Sequence, residues 1–147
     1  MIHSSIQKFA SDQPQLYDII ITNPPFFNTG VQPSNISRAT ARHTNYLSHN
    51  ELANAVSILL SSQGEFYCIL PPGEAKKIIE IARMKRLFLN HIVKLSPSIR
   101  KPSHRLMMKF SRTRRKIVEE RMVINAPGSR EYSDAYKSLT KEFYLYK

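Results

Sequence analysis

Cysteine occurs once in the 147 residues, at Cys68, inside an apolar run. A lone cysteine excludes an internal disulfide framework, and its setting reads as core rather than nucleophile or ligand. No apolar stretch reaches the roughly 18 residues that a membrane-spanning helix needs. The opening residues, Met1-Ile2-His3-Ser4-Ser5, lack the charged and apolar regions of a secretion signal. The five histidines show no metal-ligand spacing with cysteine or carboxylates, so no metal centre is expected. Together these absences fit a cytoplasmic location without a membrane partner. Glycine is scarce too: Gly30, Gly64, Gly73 and Gly128 are the only ones, and none forms a G-x-G pattern.

What is present is a globular composition, 41% hydrophobic and 22% charged, of a length suited to one domain over residues 1–147. The net charge is +11 and unevenly spread. Residues 1–75 hold three Lys/Arg against five Asp/Glu, residues 76–121 hold fifteen against three, and the remainder four against three. A basic excess gathered in one block is the electrostatic footprint of a polyanion partner. A solvated face that aids solubility is the plainer alternative.

Residues 2–9 read as the end of a strand running into a turn. Tyr17 to Thr22 is short, β-branched and almost wholly apolar, as in a central parallel strand. Residues 28–50 are polar and without periodicity, a long loop of the kind that usually carries function. Ser48 and Glu51 are spaced as a capping box, followed by Leu52, Ala55, Val56, Leu59 and Leu60 at helical spacing. Gly64 suits the position just past that helix. Glu65 to Leu70 is the next strand, broken by Pro71-Pro72-Gly73. Ala75, Ile78, Ile79 and Ala82 mark a second amphipathic helix. Three strands follow over 89–95, 105–111 and 117–124. Ser133 caps a last helix in which Tyr136, Leu139 and Phe143 share a face. The order predicts an open α/β sheet with an antiparallel edge. In such sheets ligands bind beyond the carboxyl ends of the strands.

Asn23-Pro24-Pro25-Phe26 falls at one of those ends. An exocyclic amine on a base is a poor nucleophile, because its lone pair is delocalised into the ring. Two acceptors, one for each N–H, favour the tetrahedral amine and aim its lone pair at a methyl donor. The Asn23 side-chain oxygen and the Pro24 carbonyl supply them. Pro24 and Pro25 stiffen the turn, and Phe26 offers a flat face on which a flipped base stacks. Catalysis of this kind rests on orientation and fixed dipoles, with no strong base. The competing reading is an ordinary turn after a strand, since Asn-Pro and Pro-Pro are common in loops.

The run Tyr17-Asp18-Ile19-Ile20-Ile21-Thr22-Asn23-Pro24-Pro25-Phe26-Phe27 resembles the target-base motif of class I adenine-N6 methyltransferases. More narrowly, the chain is similar to the bacterial tRNA(Val) adenine-N6 methyltransferases. Residues 39–44 (Ala-Thr-Ala-Arg-His-Thr), 69–71, 102–105 and 139–145 carry that narrower likeness, which runs over nearly the whole chain. The resemblance implies a Rossmann-like sheet, S-adenosylmethionine as cofactor, tRNA as partner and methylation of an adenine N6 amine. It implies Asn23, Pro24, Pro25 and Phe26 as the catalytic motif.

That family carries its donor site in an N-terminal half, around a Gly-rich turn that this sequence lacks. Only the segment from Ser5 and Ile6 to Phe9 resembles a donor-site segment. The chain is therefore expected to be the C-terminal portion of such a sheet, a single partial methyltransferase domain, with a separate N-terminal half as a further partner. Arg38, Arg42 and His43 in the long loop, Lys101 and Arg105 before a strand, and Arg114 and Arg115 between two strands are the candidate RNA contacts. Each is equally readable as solvated charge. Two other functions compete: an inactive RNA-binding remnant, and methylation of DNA or another amine.

Overall fold

The computed structural model describes residues 2–12, 16–25, 47–129 and 131–143. Their elements alternate early and then run as consecutive strands. Helix α1 (Ile6–Asp12) precedes strand β1 (Tyr17–Thr22). Helix α2 (His49–Leu59) leads into β2 (Leu60–Leu70), and α3 (Pro72–Met84) into β3 (Phe88–Ser96). Strands β4 (Arg105–Ser111) and β5 (Val118–Val123) and helix α4 (Asp134–Thr140) complete the order.

The five strands form one sheet in the order β1-β2-β4-β3-β5. Strand β1 runs parallel to β2, and β3 parallel to β5, while β4 is antiparallel to both of its neighbours. The expected mixed α/β sheet is thus present. Its antiparallel strand is not the expected edge but the centre: β4 lies between β2 and β3, while β1, expected to be central, and β5 are the edges among the described residues, each parallel to its neighbour.

Local chemistry explains most boundaries. The capping box is complete at the start of α2: the Ser48 hydroxyl accepts from the Glu51 N–H, and the Glu51 carboxylate accepts from the Ser48 N–H. Helix α3 has Pro72 in its first turn, where a missing N–H costs nothing. It ends at Arg86, which takes φ 59°, while the Leu87 N–H reaches back to the Ala82 carbonyl. That is the usual helix stop with arginine where glycine is ordinarily found.

Two sequence expectations need correcting. Residues 6–12 form a helix, not a strand end. Ile6, Phe9 and Ala10 recur at helical spacing and pack against Ala55 and Leu59 of α2. Gly64 lies within β2, not past a helix end. Leu60 is already extended, and the chain continues straight into the strand. The β1–β2 register jumps there, from Tyr17 opposite Leu60 to Ile19 opposite Glu65. A Cβ on Gly64 would stand 2.9 Å from the Tyr17 carbonyl oxygen, so the close passage of the strands requires glycine. The last helix is present with its Ser133 cap, but it ends at Thr140, so Phe143 lies beyond it, and Leu139 on its apolar face is 54% exposed.

The core lies between α2, α3 and one face of the sheet. Phe66, Leu70, Ile78, Leu87 and Phe110 are fully buried there, with the Phe66 and Phe110 rings 5.6 Å apart. Burying each such side chain contributes about 1.5–3 kcal/mol. The opposite face bears Ile19, Ile21, Tyr67, Ile69, Val93 and Met107, by alternation from the buried positions and by cross-strand register. No described helix is long and apolar enough to cross a membrane.

Candidate active site

Strands β1, β2, β3 and β5 all point the same way, so their carboxyl ends share one edge of the sheet. The Asn23 turn lies there, directly after Thr22, which pairs with Cys68. Asn23 is exposed, Pro24 buried and Pro25 exposed. A buried proline ring anchors the turn while leaving the preceding amide free to meet a ligand. Phe26, Arg38, Arg42 and His43 lie outside the described residues.

The helices also start on this edge. His49 opens α2 and Glu74 lies in the first turn of α3, and their side chains meet at 2.8 Å, both largely buried. Lys77 donates to the other Glu74 oxygen at 2.8 Å. The Lys77 hydrogen bond, with that from His49, holds the Glu74 carboxyl below the ordinary carboxylate range against the opposing effect of burial. The pair ties the two helix starts together on the same edge as the Asn23 turn. Sequence reading passed over it, since twenty-five residues separate the partners.

Lys101 and Arg105 reach the same edge, in and just after the β3–β4 loop, and Arg105 donates to the His104 carbonyl at 2.9 Å. The loop is pinned from below. Arg121 on β5 donates to the Ser96 hydroxyl and to the carbonyls of Ile99 and Lys101 at 3.3, 2.8 and 3.2 Å. Its fork of fixed N–H groups suits that task.

Arg114 and Arg115 lie at the other end of β4, on the amino edge. Six residue steps along β4 separate the two edges by roughly 20 Å. The basic block of the sequence is therefore divided in space. Part of it is structural: Arg112 donates to the carbonyls of Ser57, Leu60 and Ser61 at 2.7, 2.9 and 3.4 Å and closes the C-terminal end of α2. Lys94 and Lys109 are paired with Glu119 and Glu65. Ser5 and Ile6 stand at the start of α1, where the Ser5 hydroxyl accepts from the Lys8 N–H at 3.3 Å and Ile6 packs towards α2.

A cavity of about 330 Å³ lies on the sheet face away from α2 and α3, lined by Ile21, Tyr67, Ile69, Val93 and Met107 among others. It is not the candidate site. Its walls are mostly apolar side chains of strand interiors, with Thr22, His91 and Lys109 also lining it, and suit a covering side chain better than a polar amine. Cys68 is mostly buried, and burial pushes its thiol up to about 12, so it stays protonated and inert. Tyr67 is likewise pushed up to about 12, first by its hydrogen bond to the Glu65 carboxylate.

No family model matches the chain. Curated proteins do. It is 36% identical over 143 residues to the tRNA1(Val) (adenine(37)-N6)-methyltransferase of Vibrio campbellii, covering 97% of this chain and 58% of that protein. It is 39% identical over 141 residues to the protein of the same name from Pseudoalteromonas translucida, covering 96% and 60%. The chain thus spans about three fifths of the length of these relatives. Among solved structures, a predicted O-methyltransferase from Agrobacterium tumefaciens superposes with a TM-score of 0.65 at 15% identity, over 99% of this chain and 61% of that one. That likeness concerns the fold alone.

Proposed function

The chain is a homologue of curated tRNA1(Val) (adenine(37)-N6)-methyltransferases, matching somewhat over half of their length, and on that premise we propose that it supplies the target-adenine side of the same reaction. The observation that carries the reading is the Asn23-Pro24-Pro25 turn at the carboxyl edge, with an exposed amide on a buried proline.

S-adenosylmethionine, when bound, supplies the electrophilic methyl group. The chain's own residues act on the amine. The Asn23 side-chain oxygen accepts one N–H of the adenine amine, and the Pro24 carbonyl accepts the other. Both acceptors keep the amine pyramidal with its lone pair directed outward. The proton leaves after nitrogen has become cationic, so no residue need be a strong base. Phe26 provides the stacking face, and Arg38, Arg42 and His43 contact the RNA. Lys101 and Arg105 hold the backbone beside the target base.

The fit is to the acceptor side. Among the described residues β1 pairs only with β2, and the sequence has no Gly-rich turn. Ser5 and Ile6 make a minor contribution beside the donor. The main donor cradle is placed on polypeptide corresponding to the length of the relatives that this chain does not match. The same polypeptide covers the open face, where Ile19 and Ile21 are 62% and 76% exposed, because sheets of parallel α/β type bury both faces. The working enzyme is thus cytoplasmic and acts on tRNA with this chain as one part of a methyltransferase domain.

The test is a chimaera in which this chain replaces the matched part of the Vibrio campbellii protein. Incubated with tRNA and labelled donor, it should yield N6-methyladenosine on nucleoside analysis. Labelled nucleoside other than N6-methyladenosine, or label in DNA instead of tRNA, refutes the assignment.

A further inference from the structure

The amino edge of the sheet, opposite the Asn23 turn, gathers cations that the chemistry above does not use. Helix α3 ends there with Arg83, Lys85 and Arg86, and the β4–β5 connection brings Arg112, Arg114, Arg115 and Lys116. Two are engaged: Arg112 caps α2, and Lys85 donates to Asn54 at 3.3 Å. Arg83, Arg114 and Arg115 are exposed. They line one cavity of about 240 Å³, with Ile79, Phe88 and Leu89. The nearby carboxylate of Glu65 is already occupied by Lys109 and Tyr67.

Arg86 adds an independent sign. It stands at the helix stop with φ 59°, a conformation that costs a branched or bulky residue free energy and costs glycine none. A cation stands where glycine would relieve the backbone, a strained position of the kind found at functional sites.

We propose that this edge is a second RNA-backbone surface, in which the guanidinium groups of Arg83, Arg114 and Arg115 hold phosphates roughly 20 Å from the target-base turn. The inference rests on the reading that the substrate is RNA. An apolar floor with a guanidinium rim suits an unpaired nucleotide, its base or ribose on Phe88 and Leu89 and its phosphate on the rim. At that separation no single phosphate touches both edges. The RNA therefore runs across the sheet and is held at two points, which positions the adenine without reading its neighbours.

Binding of a labelled tRNA transcript to the full chain, measured by anisotropy across a salt series, tests this. Each phosphate contact contributes about 0.7–0.9 to the slope of log K against log salt. Arg83→Ala/Arg114→Ala/Arg115→Ala should lower that slope by about two and weaken binding at least about tenfold at low salt. Arg86→Gly should raise the melting temperature and lower the slope by about 0.7–0.9, whereas an arginine that touches no phosphate leaves the slope unchanged. An unchanged slope in the triple variant overturns the proposal, as does a wild-type chain with no salt-dependent tRNA binding. Loss of binding to phosphatidylglycerol vesicles with tRNA binding intact also overturns it, in favour of a membrane surface. Failure of the triple variant leaves the Asn23 chemistry standing. Conversely, a methyl-transfer assay indifferent to Asn23 sinks that chemistry without touching this surface.

Discussion

The two edges of one sheet carry different groups. The carboxyl edge holds the Asn23 turn, the starts of α2 and α3, and the His49–Glu74 pair. The amino edge holds the end of α2 closed by Arg112, the end of α3, and a cluster of arginines. One edge presents helix N-termini and the Asn23 turn beside Lys101 and Arg105, the other helix C-termini and a denser cluster of cations. The strand direction dictates this arrangement: helices that follow parallel strands begin at the carboxyl edge and end at the amino edge. Cations at the amino edge are also favoured by the helix dipoles. A block of basic residues contiguous in sequence is therefore not one patch.

Both edges hang on a single core, and the largest effect should come from breaking it. Phe110→Ala removes a fully buried ring packed on Phe66 and should cost about 3–5 kcal/mol by denaturant titration. If the edges are parts of one cooperative unit, tRNA binding and methyl transfer are lost together. Next, Arg112→Ala leaves three carbonyls at the end of α2 without their donor and should cost about 1.5–3 kcal/mol. Its effect on tRNA affinity at temperatures where the protein stays folded should be small, which separates it from Arg114 and Arg115. Gly64→Ala forces a Cβ against the Tyr17 carbonyl oxygen and should cost about 1–3 kcal/mol, with hydrogen exchange rising first along β1.

The smallest effect belongs to the carboxyl edge and depends on pH. The Glu74 carboxyl is held below its ordinary value of 4.5, so its contribution is complete above that value and is lost as pH falls through the folded-state value. Glu74→Gln should therefore be less stable than the parent by under about 1 kcal/mol above pH 4.5, and the two should converge below it. A gap that widens on acidification would mean that His49 and Lys77 do not stabilise the carboxylate.

Strands were the most legible elements. Tyr17–Thr22 and Arg105–Ser111 match the sequence reading residue for residue, the first as a short β-branched apolar run and the second by its alternation, with ends marked by Asn-Pro and by Pro-Ser-His. The short helix α1 was misread, since seven residues give too few turns for the period to declare itself. Gly64 was misassigned because a glycine after a helical pattern and a glycine at a close strand crossing look alike in sequence. The Asn23 turn was legible from its motif and from its place after a strand. The division of the basic block was not legible, because it depends on where strand β4 begins and ends in space. Nor were Arg112 and Arg121, whose partners are carbonyls twenty to fifty-five residues away.

The central claim is that Asn23 orients the target amine. It is tested most directly by single-turnover methyl transfer to saturating tRNA, comparing the chimaera with its Asn23→Ala variant. Loss of a preorganised polar partner of the reacting group predicts a rate about 10²–10³-fold lower. The dissociation constant for tRNA should be nearly unchanged, because the phosphate contacts proposed for both edges do not involve Asn23. Equal rates in the two proteins would contradict the account.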